Sequence, residues 1–219
     1  MSTVHLIGGE KGGVGKSVVA RALAQYFVDQ RYAFVAVDAD TSHGALRRYY
    51  SDYTQAVDLE SFPSADQIMD RALGADRRVL VDLPAQSARL LKRWLDAGEV
   101  VSFAQEMDVS LVLWHVTDGG FDSVNELQRA LDTFGDTLNY VVVKNLGRSP
   151  EFSQLNKSPT LSALSATGGQ IMELPALDSE TMYKIDALGS SFWAAVNTLE
   201  GDGALTAMER RRAKRWLEQ

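Results

Sequence analysis

The chain predicts an α/β protein: a mostly parallel central sheet flanked by helices on both faces. Three observations carry this. Apolar, β-rich runs alternate with stretches of helical periodicity along the whole sequence. Two of the runs, Val79-Leu80-Val81 and Tyr140-Val141-Val142-Val143, are continuous rather than alternating, as strands covered on both faces should be. A glycine-rich turn joins the first run directly to the first helical pattern.

In chain order, strands are expected at 3–8, 33–38, 78–82, 109–116, 138–144 and 170–174. Helices are expected at 16–30, 64–74, 86–97, 119–134, 159–167, 179–199 and 204–218. The stretch 145–158 is polar, has a Ser-Pro near each end, and reads as a surface loop. No internal repeat or low-complexity segment is present. At 219 residues and 45% hydrophobic composition, one domain over 1–203 is expected. A basic helix at 204–219 then either belongs to it or forms a partner-contact tail.

Composition excludes several classes. With no cysteine, there are no disulfides, thiolate metal sites or iron–sulfur clusters. No apolar run approaches the ~20 residues of a membrane span, and the start of the chain has no signal-peptide pattern. A soluble, cytoplasmic protein is expected. The net charge of −7 argues against coating nucleic acid wholesale. Residues 204–219, however, hold five basic and two acidic side chains, a net +3 that leaves −10 on the rest.

Lys11-Gly12-Gly13-Val14-Gly15-Lys16-Ser17 stands between the apolar run Val4–Ile7 and the helical pattern Val18–Val28. Glycines at such a turn let consecutive backbone N–H groups point into one small volume, and the helix N-terminus adds partial positive charge. The turn is built for phosphate. Lys16 would reach the terminal phosphates and the Ser17 hydroxyl would hold Mg²⁺. Glu10 stands where the strict G-x-x-x-x-G-K-[ST] pattern has its first glycine, and Lys11 adds a second lysine that a single-subunit site leaves idle.

Acids follow at two further strand ends. Asp38 and Asp40 are spaced i, i+2, so they point the same way at a carboxyl end, where open α/β sheets bind ligands. Asp82 closes the run Arg78–Val81. Beside a triphosphate these carboxylates suit a Mg²⁺ and water site; without one, they would simply cap loops.

The segment 11–17 resembles the deviant Walker A box of the ParA/MinD superfamily of P-loop ATPases. The resemblance implies a P-loop NTPase fold, ATP and Mg²⁺ as cofactors, and a homodimer in the ATP state. Lys11 matches the signature lysine that crosses to the nucleotide of the partner. Gly12, Gly13, Val14, Gly15, Lys16, Ser17 and Val18 match the nucleotide cradle. Lys11, Lys16 and Asp40 take the catalytic roles, with Asp40 orienting the attacking water and Asp38 nearer the metal and the switch. The proline that usually follows the second acid is here Thr41. Ser17, Asp38 and Asp82 form the metal set. Leu83–Ser87 match switch II, where Gln86 either places water or bonds the loop. No Asn-Lys-x-Asp signature is present; Asn145 matches the asparagine that pairs with adenine, or is a turn residue. Leu174–Asp178, with Pro175, resembles the loop that packs on the base. The missing cysteines remove the nitrogenase-reductase branch.

Within the superfamily, the short length and the segment Asp82–Gln86 look closest to plasmid partition, mobilisation and stability ATPases. A protein activator or cargo adaptor is then an expected partner. Two rival classes remain: a ligase of the dethiobiotin-synthetase or cobyrinate-amidation type, and a nucleotide-dependent regulator with negligible turnover. Glu10 is an anion beside a triphosphate, expected to contact Lys11 or a partner subunit in the nucleotide-free state.

On a helical wheel Leu205, Met208, Arg212 and Trp216 share one side of the last helix. It could dock on the domain itself, contact DNA nonspecifically, or lie on a membrane, the last being disfavoured by Arg212 in a thin apolar face. His5, His43 and His115 lack ligand spacing and are expected to be structural. Trp94, Trp114, Trp193 and Trp216 are expected in the core or an interface.

Overall fold

The computed structural model describes residues 1–40, 44–74 and 76–219. Thr41 and His43 lie outside the described residues. The chain runs β1 (Ser2–Gly8), α1 (Lys16–Asp29), β2 (Phe34–Asp38), α2 (Ala45–Tyr49), a 3-10 turn (Ser51–Tyr53) and β3 (Thr54–Ala56). Then come α3 (Phe62–Ala65), α4 (Gln67–Ala72), β4 (Arg78–Asp82), α5 (Ala88–Ala97), α6 (Val100–Glu106), β5 (Val109–Thr117) and α7 (Phe121–Phe134). The last part is β6 (Asn139–Asn145), α8 (Ser153–Lys157), α9 (Thr160–Ala166), β7 (Gln170–Leu174), α10 (Ser179–Leu188), α11 (Phe192–Asn197) and α12 (Ala207–Leu217).

Among the described residues the strands form one seven-stranded sheet in the order β3-β2-β4-β1-β5-β6-β7, every pairing parallel. The two-residue period of a strand sorts its side chains to opposite faces. Val4, Leu6, Val79, Val81, Leu111 and Leu113 pack on one side with α4, α5, α7 and α9. Ile7, Ala36, Leu80, Val116 and Val143 pack on the other with Val19, Ala20, Ala24 and Phe27 of α1. A third cluster, built from Ile185, Phe192, Leu205, Ala213 and Trp216, covers the outer side of α1.

The six expected strands are present. β3 adds a short edge strand that three residues of sequence pattern cannot announce, and α2 and α6 were likewise not foreseen. The expected loop 145–158 is corrected: Ser153–Lys157 forms a helical turn, with Phe152 6% and Leu155 0% exposed in the core. Two apolar residues three apart are enough to pin a polar segment down. The expected helix 179–199 is broken, because Gly189 takes a left-handed φ of 60° and Ser191 caps a new helix by accepting from Ala194 N–H.

Of the tryptophans, Trp94 and Trp216 are buried and Trp193 is exposed. His5 and His115 sit inside the sheet on β1 and β5. No helix among the described residues is long and apolar enough to cross a membrane.

The parallel register puts the C-terminal ends of all strands along one edge. There β1 leads into α1 on one face, whereas β4 leads into α5 on the other. Oppositely directed connections from neighbouring strands open a crevice between them. Ile7 and Asp82 face each other in register at its base.

Candidate functional site

The crevice is lined by the turn Gly9–Ser17, which wraps from β1 to α1. Gly9, Gly13 and Gly15 have φ of 136°, 78° and 99°, a backbone that L side chains avoid, so the turn depends on glycine at these points. Gly15 is also the residue preceding α1, and no side chain caps the first N–H groups of that helix. They remain available to an anion. Nothing stands within 4 Å of where a Cβ on Gly12 or Gly13 would be, so this part of the turn faces open space.

Lys16 is only 8% exposed, and its Nζ donates to Lys11 O at 3.2 Å. Burial lowers the affinity of this ammonium for its proton, while the nearby Asp82, Glu10 and Asp40 carboxylates act to keep it charged. The cation is thus held inside the loop by a single backbone hydrogen bond.

Asp38 and Asp82 sit on adjacent strands as partners in register. Each oxygen of Asp38 accepts one backbone N–H, from Asp40 and from Arg47, both at 3.1 Å. This shapes the connection into α2, and burial raises its pKa. Asp82 differs. It is 1% exposed, and neither carboxyl oxygen has a hydrogen-bond partner of good geometry among the described residues, although the Ser17 hydroxyl is near enough to act on it. Burial, then the Asp38 charge, push its pKa up to about 7, against the pull of Ser17 and Lys16. A buried, orphaned carboxyl normally has an explanation, and a divalent cation would supply one. Among the described residues no group of three or more acidic, histidine or cysteine side chains is arranged so that it could hold a metal ion by itself. A cation here would therefore rest on few protein oxygens and complete its shell with phosphate and water, the habit of Mg²⁺.

Lys11 does not contact Glu10. Its Nζ lies 2.7 Å from Asp118 Oδ2, and Asp118 Oδ1 accepts Gly120 N–H at 3.1 Å. Burial pushes the Asp118 carboxyl up, but the hydrogen bonds from Lys11 and Gly120 more than offset this and leave it below the usual range. Asp118 was missed at the sequence level; the polar Asp118-Gly119-Gly120 turn after an apolar strand was the available signal. Glu10 reaches instead to α5, accepting Ala88 N–H at 2.9 Å. Of the two contacts expected for it, the one to Lys11 is corrected: Lys11 turns to Asp118, just past β5, and the Glu10 carboxylate to the start of α5.

The far end of the crevice holds a cavity of about 270 Å³, lined by Val18, Asn145, Arg148, Pro175, Leu177 and Trp216 among others. Asn145 is buried; its Nδ2 donates to Val14 O at 2.8 Å and its Oδ1 accepts Gly147 N–H at 3.0 Å. One amide N–H and one carbonyl lone pair stay free of those bonds. Pro175 O accepts Trp216 Nε1–H at 2.7 Å, so α12 braces the loop after β7. Gln86 stands exposed with a left-handed φ of 60°.

The wheel reading of α12 is corrected in part. Leu205, Glu209, Ala213 and Trp216 are buried, whereas Met208 is 61% exposed and Arg212 faces solvent. Glu209 can be inside because Lys184 Nζ donates to it at 2.6 Å and Thr206 N–H at 2.7 Å.

Known proteins resemble the chain over most of its length. The chain is 26% identical to Protein TraL of Escherichia coli over 98% of its length and 93% of the relative. It is 26% identical to Protein MobD of Acidithiobacillus ferrooxidans over 99% and 96%. Among solved structures, a nucleotide-binding protein from Archaeoglobus fulgidus in complex with ADP superposes with a TM-score of 0.57 at 17% identity, covering 85% and 86% of the two chains. The MinD cell division protein of Aquifex aeolicus superposes with a TM-score of 0.52 at 14% identity, covering 100% and 98%. Residues 6–158, the span that contains the phosphate turn, both acidic strand ends and Asn145, match the CobQ/CobB/MinD/ParA nucleotide binding domain, and the chain belongs to that family.

Proposed function

We propose that this protein is a Mg²⁺-ATP-dependent dimerisation switch with slow ATP hydrolysis, serving DNA transfer, partition or the positioning of a cargo. The observation that carries the reading is the conjunction at one crevice of a buried, nearly unpartnered Lys16 and an orphaned, buried Asp82. A cation and an anion site side by side suit a metal–triphosphate. The cavity beside Val18, Asn145 and Pro175 takes the adenine. Ser17 and Asp82 would hold the metal, with Asp38 nearby, and the metal would neutralise charge on the transferred phosphoryl group. Asp40, at the mouth, orients water.

Lys11 completes the site of a second copy, and binding orders residues 83–87, so that nucleotide and dimer report on each other. Relatives bearing the names TraL and MobD support a role in plasmid mobilisation. The exposed Arg211, Arg212, Lys214 and Arg215 side of α12 suits a polyanion such as DNA. The ligase alternative has no use for Lys11 and is disfavoured for that reason.

Calorimetric titration with MgATP tests the reading. Wild type binds and Lys16→Ala does not, while Asp40→Ala binds but turns over at least about a hundredfold more slowly. Equal binding by Lys16→Ala would refute it.

A further inference from the structure

The segment between Asp82 and α5 is clamped at both ends to the same short stretch of chain. At one end Leu83 N–H donates to Ile7 O at 3.0 Å; at the other, Ala88 N–H donates to Glu10 Oε1 at 2.9 Å. Between the clamps Ala85 and Gln86 are exposed, and Gln86 holds a left-handed φ of 60°. The first N–H groups of a helix need an acceptor, ordinarily a side chain at the residue just before it. Ser87 occupies that place and its side chain makes no such bond. The acceptor is supplied from 78 residues upstream, by the one position at which the phosphate turn departs from the strict pattern. A carboxylate at a helix N-terminus also meets the positive end of the helix dipole. Burial, with the Glu126 charge, raises the pKa of Glu10 above the usual carboxylate range; the backbone N–H groups of Ala88 and Ser87 and the Lys16 charge offset only part of this.

We propose that Glu10 is a positioning residue that couples the phosphate turn to the Leu83–Ser87 segment by capping α5 from outside. The coupling rests on the nucleotide-switch reading given above. The Leu83 end is fixed by the sheet, whereas residue 10 belongs to the turn that wraps phosphate. A displacement of that turn on binding is therefore delivered to the Ala88 end and opens or tightens the five residues between. Aspartate is a methylene too short for this bond, and glutamine keeps an acceptor without the charge.

The test is amide hydrogen exchange on the full chain without nucleotide, in wild type, Glu10→Ala, Glu10→Asp and Glu10→Gln. Losing a cap should speed exchange in a peptide spanning 84–91 about five- to tenfold in the Ala and Asp variants, and less than about threefold in Gln. Unchanged exchange in Glu10→Ala, or a loss in Gln as large as in Ala, overturns the cap. In a second arm MgATP is added. Wild type should change its protection over 84–91, and Glu10→Ala, compared at a MgATP concentration that saturates it, should lose that change. A nucleotide-induced change that persists in Glu10→Ala overturns the coupling. Failure of wild type to bind MgATP at all overturns the nucleotide reading and the coupling with it, whereas the first arm decides the cap by itself.

Discussion

Lys11 and Asp118, 107 residues apart, form an ion pair at 2.7 Å inside one chain, at the mouth of the phosphate turn. The lysine that the family resemblance sends to a second subunit is thus held by its own. Its side chain is 35% exposed and that of Asp118 22%, so the pair contributes modestly, roughly 0.5–1 kcal/mol. Asp118→Ala should free the lysine and tighten ATP-dependent dimerisation about two- to fivefold. Lys11→Ala should abolish the dimer while leaving nucleotide binding by the monomer intact. Light scattering with and without MgATP reads both; a weaker Asp118→Ala dimer would show that the pair supports the interface instead of competing with it.

Asn145 and Gly15 lock the phosphate turn onto the end of β6. A Cβ on Gly15 would run into Asn145 Nδ2, and φ there is 99°. Gly15→Ala should therefore displace the turn and cost more than about 2 kcal/mol of stability, with nucleotide affinity lost. Asn145→Ala removes the bonds to Val14 O and from Gly147 N–H, for about 1–3 kcal/mol. Urea titrations measure the cost. The double variant Gly15→Ala/Asn145→Ala should recover part of it, since the clash is gone; strict additivity would refute the contact.

Two histidines give the fold a pH limit. Burial, with the Arg78 charge, lowers the pKa of His5 to about 4, and its Nδ1 accepts from Trp114 Nε1–H. Burial lowers His115 to about 4 as well, against a bond to the Ser123 backbone. Both usually titrate near 6.5. Between pH 6.5 and 4 the unfolded chain holds more protons than the folded one, so these groups cost nothing above 6.5 and erode stability as pH falls. The erosion is on the order of a few kcal/mol over the window. Asp82 acts in the opposite sense, because its folded carboxyl keeps a proton up to about 7. The diagnostic is therefore a difference: His115→Asn should flatten the fall in urea midpoint between pH 6.5 and 4.5 relative to wild type. Parallel curves would show that His115 does not titrate as described.

The last helix is both a structural wall and a basic surface, and the two can be separated. Trp216 is 6% exposed, packs on Phe192 with ring centroids 5.2 Å apart, and holds Pro175 O. Trp216→Ala should cost about 3–5 kcal/mol and weaken nucleotide binding through the braced loop. Deleting 204–219 would open the same cluster, so loss of DNA retention after deletion would be uninformative. Replacing Arg211, Lys214 and Arg215 by Gln changes only exposed charge. If α12 contacts DNA, fluorescence anisotropy should show weaker duplex binding with a flatter salt dependence at unchanged melting temperature. Unaltered binding would move the contact elsewhere.

The sequence by itself determined the sheet, its parallel sense, and the family. Those follow from local causes: apolar runs long enough to be buried on both faces, and the run Lys11–Ser17, whose Gly13 and Gly15 take a backbone that other residues avoid. Lys16, Ser17, Asp38 and Asp82 could be named in advance because each stands at a strand end or helix start, where connectivity alone aims it at the crevice. Only the tertiary structure decided which side chains meet. Lys11 finds Asp118 across 107 residues and Glu10 finds Ala88 across 78. Such pairings depend on the order of strands in the sheet, which periodicity does not encode. For the same reason the buried stripe of α12 is set by the cluster on α10 and α11 that it covers, and a wheel drawn from its own residues placed Met208 on the wrong side.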